Sequence, residues 1–396
     1  MKVLFLTSRL PYPPDRGDRL RVFNFLKILS KTGHVIHLLS FIAQDEEKRY
    51  INELQEYCEE IRTVLLPSFI SKLKAAFGLL NDLPLQVSYY KSSRMQSEVN
   101  TLIDKNRYAV LYVHLFRMAP YVLNYKDIYR ILDLTDVISK EIELSISHRS
   151  GITKKIYKLE FPRIRRYEVK VSKEFQEVWV ISKYEAELLE SYSSHPRIEV
   201  VTNGVDTDYF KPLNLDKNLF NLIFVGNLQV DHNVDAILYF YKEIFPLIKR
   251  KIPQTKFYIV GASPGVGLRS LSDDQNVVVV GAVEDLNLHL NQANIFVGPL
   301  RFSAGIQNKI LEAMSAGLPV VCSSLANQGI QAEPDREILI GKNSLHFAEQ
   351  VIYLIENPEM CRMIGSRARE FVKNKFKWEN VIKRFEILET ELKRRR

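Results

Sequence analysis

Twice along this chain, short apolar runs alternate with stretches whose apolar residues recur at helical spacing. The first series occupies residues 3–7, 35–41, 62–66, 109–113, 129–132, 178–181 and 198–201. Short apolar runs bounded by polar, Gly or Pro residues mark buried strands. Between the first two, Leu20, Phe23, Leu26, Ile28 and Leu29 predict a helix over 20–31, and Gly33 stands where a helix-ending glycine belongs. The pattern restarts at 222–225 and continues through 256–260, 277–280, 295–297 and 319–321. Helices are predicted over 234–250, 285–292 and 306–316, and helical periodicity dominates from 345 onward. Strands separated by helices form parallel βαβ units. The expected fold class is α/β, with two Rossmann-like domains that each own a parallel sheet. The 396 residues suit two to three domains at ~150 each. The polar stretch 203–218, with Pro212 and three Asn, marks the boundary, so the domains are expected over 1–204 and 205–375. Open parallel sheets bind ligands beyond the carboxyl ends of their strands, and domain interfaces favour pockets. The expected active site is a cleft between the halves.

Composition excludes several classes. Apolar residues make up 46% and charged residues 26%, which rules out a disordered chain or a fibrous repeat. The net charge of +8 favours anionic ligands: nucleotide phosphates, acidic lipid or nucleic acid. The basic residues lack an interleaved aromatic reader, so nucleic acid is not an expected partner. Cys58, Cys322 and Cys361 have neither zinc nor CxxC spacing and are expected as reduced thiols. The apolar run from Val3 to Leu6 is too short for a signal peptide, and no run approaches the ~18 apolar residues of a membrane span. The expected location is cytoplasmic. Lys154, Lys155, Lys158, Arg163, Arg165, Arg166, Lys170 and Lys173 crowd one helical region, and residues 69–80 are apolar with two lysines. Both suit peripheral docking on anionic lipid at the inner face of the plasma membrane. A solvated helix face beside a core-facing helix explains them equally well.

The richest stretch is 299–321, PLRFSAGIQNKILEAMSAGLPVV. A predicted strand ends at Gly298-Pro299, and a helix is expected to open at Ala304-Gly305. Free N–H groups and the positive end of the helix dipole would hold a pyrophosphate there. Gly305 lets an anion approach the backbone. Glu312, two turns into the helix, can accept hydrogen bonds from a ribose diol; alternatively Lys309 and Glu312 form an i,i+3 pair on a solvated face. Asp206-Thr207-Asp208 has D-x-D spacing, but turn formation explains it better than a metal site. No metal is expected.

In the first half, candidate residues lie just past predicted strands. Arg19 and Arg21, after the Asp15-Arg16-Gly17-Asp18 loop, suit an anionic acceptor or phosphate; a capped helix start with solvated charges is the alternative. His114 follows the 109–113 strand and has a structural alternative. Asp133 and Asp136 could orient an acceptor hydroxyl or act as base, and loop capping explains them as well.

The 299–321 stretch resembles the donor-site signature of GT-B-fold glycosyltransferases, in the retaining family 4 group. The matching residues are Gly305, then Leu311-Glu312-Ala313-Met314, then Ala316-Gly317-Leu318-Pro319-Val320-Val321. Val201-Thr202-Asn203-Gly204-Val205-Asp206 with Phe210 resembles the family's interdomain segment, and Phe224-Val225-Gly226-Asn227 its glycine loop. FYIVG at 257–261 and GAVED at 281–285 resemble its next two strand ends. The likeness covers essentially the whole chain and is closest to the branch associated with bacterial exopolysaccharide and protein-sorting (PEP-CTERM) systems.

The resemblance implies a GT-B fold, two Rossmann-like domains facing a cleft, with residues 376–396 packing back onto the first. It implies transfer of a sugar, with retention, from a nucleotide-sugar donor to a glycan or lipid-linked acceptor, without cofactor or metal. Glu312 would hold the ribose. The backbone of Gly305, Ile306 and Gln307, with Lys309, would hold the diphosphate. Gly226 and Asn227 would line the site, and the base would sit near Val283. Gly17 and His114 would lie near the transferred sugar, with His114, Asp136 and Lys309 as the catalytic candidates. Two departures stand out. Ala304 replaces the family's first Glu, and the loop from Gly226 to His232 has no Arg or Lys. They motivate a second hypothesis, a non-catalytic GT-B protein that binds a glycan or partner. A nucleotide-sugar epimerase of the same fold is a third.

Overall fold

The computed structural model describes residues 1–15, 17–78, 82–147, 149–192, 197–215, 218–302 and 305–395. Arg16 and Ala304 lie outside the described residues. The chain divides into two compact units: Met1–Thr202 together with Ile382–Arg396, and Asn203–Val381.

The first unit is built on β1 (Lys2–Thr7), β2 (Val35–Ile42), β3 (Glu60–Leu65), β4 (Val110–His114), β5 (Tyr129–Thr135), β6 (Glu177–Val180) and β7 (Ile198–Val200). They form one seven-stranded sheet in the order β3-β2-β1-β4-β5-β6-β7, with every pair parallel. A parallel sheet needs a crossover between successive strands, so helices cover both faces. The strands β4, β5 and β6 are accordingly buried at every position. The order reverses between β1 and β4, which leaves a crevice at their carboxyl ends.

The last helix, Lys383–Arg395, belongs to this unit. Its Phe385 sits among Trp179, Phe25, Tyr112 and Phe5, with ring centroids 4.8, 5.9, 6.1 and 6.4 Å away. Beside it, Glu177 is fully buried. That carboxylate accepts from Arg384 at 2.7 and 2.6 Å, from the Trp179 indole at 2.6 Å and from the Tyr129 hydroxyl at 2.8 Å. Arg197 adds an ion pair to Glu177 at 3.2 Å and a bidentate pair to Glu391 at 2.7 and 2.6 Å. A buried carboxylate is tolerable only when its lone pairs are filled in this way.

The second unit carries β8 (Asn221–Val225), β9 (Lys256–Val260), β10 (Val277–Gly281), β11 (Ile295–Gly298), β12 (Val320–Ser323) and β13 (Leu339–Gly341). The order is β10-β9-β8-β11-β12-β13, again parallel throughout, with the reversal between β8 and β11. The edge strand β13 has too few residues to register as an apolar run in the sequence.

Two helix expectations need correction. The helix expected over 234–250 is three pieces: Asp231–Tyr239, a π turn at Phe240–Ile244, and Phe245–Lys251. Pro246 lacks an N–H and crowds the carbonyl of the preceding turn, and the wider π turn absorbs both defects. The helix expected to open at Ala304-Gly305 instead spans Asn308–Ser315, with Gln307 as an extended N-cap residue. Gly305 has φ +68°, a left-handed conformation that ends the preceding loop and cannot begin a helix.

The aromatic cluster makes a direct prediction. Phe385→Ala should cost the first unit about 3–5 kcal/mol, the usual range for emptying a buried aromatic site. Urea unfolding followed by tryptophan emission measures this. A loss below about 1 kcal/mol would show that the last helix is not part of this core.

Candidate functional site

In the second unit, the loops at the β8 and β11 carboxyl ends form the site. The β8 loop is held tightly. The Gly226 N–H donates to the Val260 carbonyl at 3.0 Å, and a Cβ on Gly261 would stand 1.8 Å from the Gly226 oxygen. A side chain at 226 would press on the Asn233 amide at 2.9 Å, while the backbone clash at 261 makes glycine a packing requirement there. The Asn227 side chain accepts from the Gln229 N–H at 2.9 Å, and its carbonyl accepts from the Asn233 side chain at 3.0 Å. These bonds fix the turn that delivers His232 in the first turn of the helix Asp231–Tyr239.

From the β11 side come Phe302, Gln307, Lys309 and Glu312. The Gly305 carbonyl is backed by Gly329, where a Cβ would sit 2.9 Å away. The Lys309 ammonium donates to the Gln307 side-chain oxygen at 2.7 Å. The i,i+3 alternative fails as a contact, because among the described residues no ion pair joins Lys309 to Glu312. They still interact through space. Burial pulls the Lys309 amine down to about 8, with Glu312 opposing the shift. Burial lifts the Glu312 carboxyl to about 7, with Lys309 opposing that one. His232 is pushed down to about 3 by burial and by Lys309, and its ring lies edge-on to Phe302 with centroids 6.5 Å apart. A half-buried ammonium, a neutral imidazole and a carboxyl poised near neutrality thus share one switch point. Perturbed groups gathered in such a crevice are the usual mark of a functional site. The missed residue is His232. Its signal was position alone, one turn beyond the Gly226 loop.

Other expectations fall elsewhere. Arg301, a basic residue of the same 299–321 stretch, pairs with Asp235 at 2.9 and 2.5 Å and stacks over Tyr239 at 4.7 Å. Val283 is half-buried in the loop between β10 and the helix Leu286–Gln292. Asp206 accepts from the N–H groups of Asp208 and Tyr209 at 3.1 and 2.9 Å, the turn expected for the D-x-D triplet.

In the first unit, Asp133 and Arg21 must be reassigned. Both are fully buried. The Arg21 Nε donates to Asp133 at 2.6 Å, its Nη1 donates to the Thr202 carbonyl at 2.9 Å, and the Tyr112 hydroxyl donates to the same Asp133 oxygen. Asp133 also accepts from the Thr135 N–H at 3.1 Å. They form an interior polar network and are not available to an acceptor. Thr135 adopts φ +65°, a strained conformation for a β-branched residue, at the carboxyl end of β5. Its hydroxyl is 3.4 Å from His114 Nε2. Asp136 follows directly, with a buried Oδ1 that has no hydrogen-bond partner among the described residues. Burial, then Glu185 and Glu141, hold its carboxyl well above the usual range. Gly17 opens the helix Gly17–Lys31, and Arg19 is tied to Asp15 at 3.1 Å and Glu47 at 3.9 Å. A pocket lined by Met1, Tyr108, Tyr129 and Glu389 opens at the amino ends of this sheet, the edge opposite the switch point.

His114 is buried, and burial lowers its pKa to about 4, with Asp133 and Asp18 opposing. On acidification the unfolded chain therefore takes this proton first, near pH 6.5, and the folded chain only near pH 4. The stability held by neutral His114 is complete above pH 6.5 and is lost as pH falls toward 4. His114→Gln should flatten the acid limb of the urea-midpoint profile by on the order of 3 kcal/mol between those limits. An unchanged acid limb would refute this.

Residues 220–357 match the family model described as Glycosyl transferases group 1. The chain is 23% identical over 398 residues to an uncharacterized 44.6 kDa protein in the cps region of Klebsiella pneumoniae, covering 95% of this chain and 96% of that protein. It is 26% identical over 216 residues to the UDP-Gal:alpha-D-GlcNAc-diphosphoundecaprenol alpha-1,3-galactosyltransferase of Escherichia coli, covering 49% of this chain and 54% of that enzyme. The sucrose-phosphate synthase (tll1590) from Thermosynechococcus elongatus superposes with a TM-score of 0.74 at 16% identity, over 100% of both chains. Anabaena Alr3699/HepE in complex with UDP gives 0.70 at 13% identity, over 99% of this chain and 100% of that one. The two parallel-sheet units with these strand orders, together with these structural neighbours, show the GT-B fold, and the second unit carries the match to the glycosyl transferases group 1 model.

Proposed function

We propose that this glycosyltransferase binds a nucleotide-sugar donor in its second unit and transfers the sugar to a glycan or lipid-linked acceptor in cell-surface polysaccharide synthesis. The observation that carries the reading is the Lys309, Glu312 and His232 cluster at the β8/β11 switch point. Glu312 accepts from the ribose diol once ionised. Lys309 and the first-turn N–H groups of the helix Asn308–Ser315 take the diphosphate charge, with Gly305, Ile306 and Gln307 leading into that turn. Gly226, Asn227 and Val283 bound the site. The charge-stabilising role falls to protein groups and not to a metal ion. As the bond from the anomeric carbon to the diphosphate breaks, negative charge grows on the leaving oxygen, and preorganised donors stabilise it. The acceptor hydroxyl forms the new bond and releases its proton.

The first unit serves the acceptor. His114 offers a neutral imidazole, Asp136 is the candidate base, and Gly17 and Arg19 shape the loop. Retention follows the family resemblance. The relative that acts on a diphosphoundecaprenol-linked sugar and the cps-region relative support a surface-polysaccharide role. Membrane docking at the cytoplasmic face has its own support. Phe69, Phe77 and Ile152 are 73, 69 and 71% exposed, beside Lys72, Lys74, Lys154 and Lys155. Arg163 donates to the Gly78 carbonyl at 3.4 Å and so ties the helix Gly151–Ser172 to the helix Ser68–Gly78. Among the described residues, no helix is long and apolar enough to cross a membrane.

A thermal-shift panel of UDP-, GDP-, ADP- and CDP-sugars on wild type and Glu312→Ala tests the reading. The cognate nucleotide at about 100 times its Kd should stabilise wild type by about 2.7 kcal/mol, and Glu312→Ala should lose most of that gain. If no nucleotide shifts the wild type, the donor reading fails. Slow nucleotide-sugar hydrolysis without acceptor would further separate a transferase from a protein that only binds.

A further inference from the structure

At the switch point of the first unit two arginines converge. Arg9 leaves the end of β1, and Arg117 lies beyond the end of β4. The Arg117 guanidinium donates to Ser8 Oγ at 3.2 Å and to the Gln86 side-chain oxygen at 2.7 Å. Both partners are neutral, and among the described residues Arg117 makes no ion pair. Arg9 donates to Asp18 at 3.3 Å. Asp18 feels the whole group. Burial pushes it up, but His114, Arg9 and Arg117 together hold it below its usual range. Arg9 and Arg117 therefore share Asp18, while His114 also faces Asp133. Burial lowers the Arg117 pKa, and the neighbouring Arg9 adds to that shift. Charged side chains of one sign at a desolvated crevice are costly unless an anion completes them. Planar guanidinium groups match the oxygen geometry of phosphate.

We propose that this crevice is an anion site in which Arg9 and Arg117 hold a phosphate or diphosphate group of the acceptor, with His114 as a neighbour. The assignment rests on the reading that the first unit serves the acceptor, and it narrows that acceptor to a phosphorylated one. Asp18 then acts as the internal counter-ion that the ligand displaces from Arg9. The anionic partner that the sequence suggests for Arg19 and Arg21 moves to a different pair of arginines, because Arg21 is consumed by Asp133 and Arg19 by Asp15 and Glu47.

Titration calorimetry with inorganic pyrophosphate on the full chain tests this. Wild type should bind, and Arg9→Gln and Arg117→Gln should each weaken binding by about tenfold or more. Lys309→Gln, which removes the second unit's diphosphate contact, should still bind pyrophosphate at this crevice, and Arg9→Gln or Arg117→Gln added to it should abolish that remaining binding. Asp18→Asn should tighten binding about threefold or more, by removing the competing carboxylate. A misfolded variant cannot mimic that gain. Absence of pyrophosphate binding, or loss that follows Lys309→Gln and spares the arginine variants, overturns the proposal. The nucleotide-sugar shift of Arg117→Gln is read alongside. If it persists while pyrophosphate binding is absent from wild type, the anion site fails and the donor reading stands. Farnesyl diphosphate distinguishes the source of the anion. Binding tighter than pyrophosphate assigns it to a lipid-linked diphosphate, and equal or weaker binding to a soluble phosphorylated acceptor.

Discussion

Parallel pairing governs everything else in this protein. A parallel strand cannot reach its neighbour through a tight turn, so each strand is followed by a crossover over one face of the sheet. Both faces are then covered, the strands become almost wholly apolar, and only their ends remain open. The chain obeys this twice, with seven strands in one unit and six in the other. In each unit the strand order reverses once, and the loops on either side of the reversal are the places where polar side chains can gather without opening the core. Most candidate site residues of both units come from such loops; Asp136 and Val283 follow strands β5 and β10.

The same residue types serve opposite ends depending on how fully they are satisfied. Glu177 is deeply buried, yet its oxygens are filled by Arg384, Trp179 and Tyr129, and it locks the last helix onto the first unit. Asp133 is filled by Arg21, Tyr112 and the Thr135 N–H, and it fastens the helix Gly17–Lys31 to the centre of the sheet. Lys309 and Arg117 differ. Each is poorly solvated, and each is held by neutral side-chain oxygens. A buried charge with a complete set of partners stabilises a fold. A desolvated charge held by neutral groups alone is ready to receive a ligand.

Much of the architecture was legible in the chain. Every strand of the first unit, and all but β13 in the second, stands out as an apolar run, because burial on both faces leaves no room for alternation. Helix boundaries were less legible. Pro246 breaks a stretch whose apolar period continues through it, and the left-handed Gly305 delays a helix whose residues would suit an earlier start. The Asp206 turn was readable because its carboxylate bonds are local. Arg21 and Asp133 were misread because their partnership joins residues far apart in the chain, which no local spacing records.

By itself, the sequence determined the two parallel sheets, their crossovers and the glycine-bounded loops of the second unit, since these depend on period, chain direction and the absence of a side chain. Gly261 and Gly305 are examples: one lies against the Gly226 carbonyl, the other has a left-handed backbone angle. Only the tertiary structure decided which charges are spent and which remain. It consumed Arg21, Arg19 and Arg301 in ion pairs, brought His232 to Lys309, and set Arg9 and Arg117 around one carboxylate. The reason is that electrostatic pairing acts through space. Its outcome depends on burial and distance, which exist only once the strands are side by side.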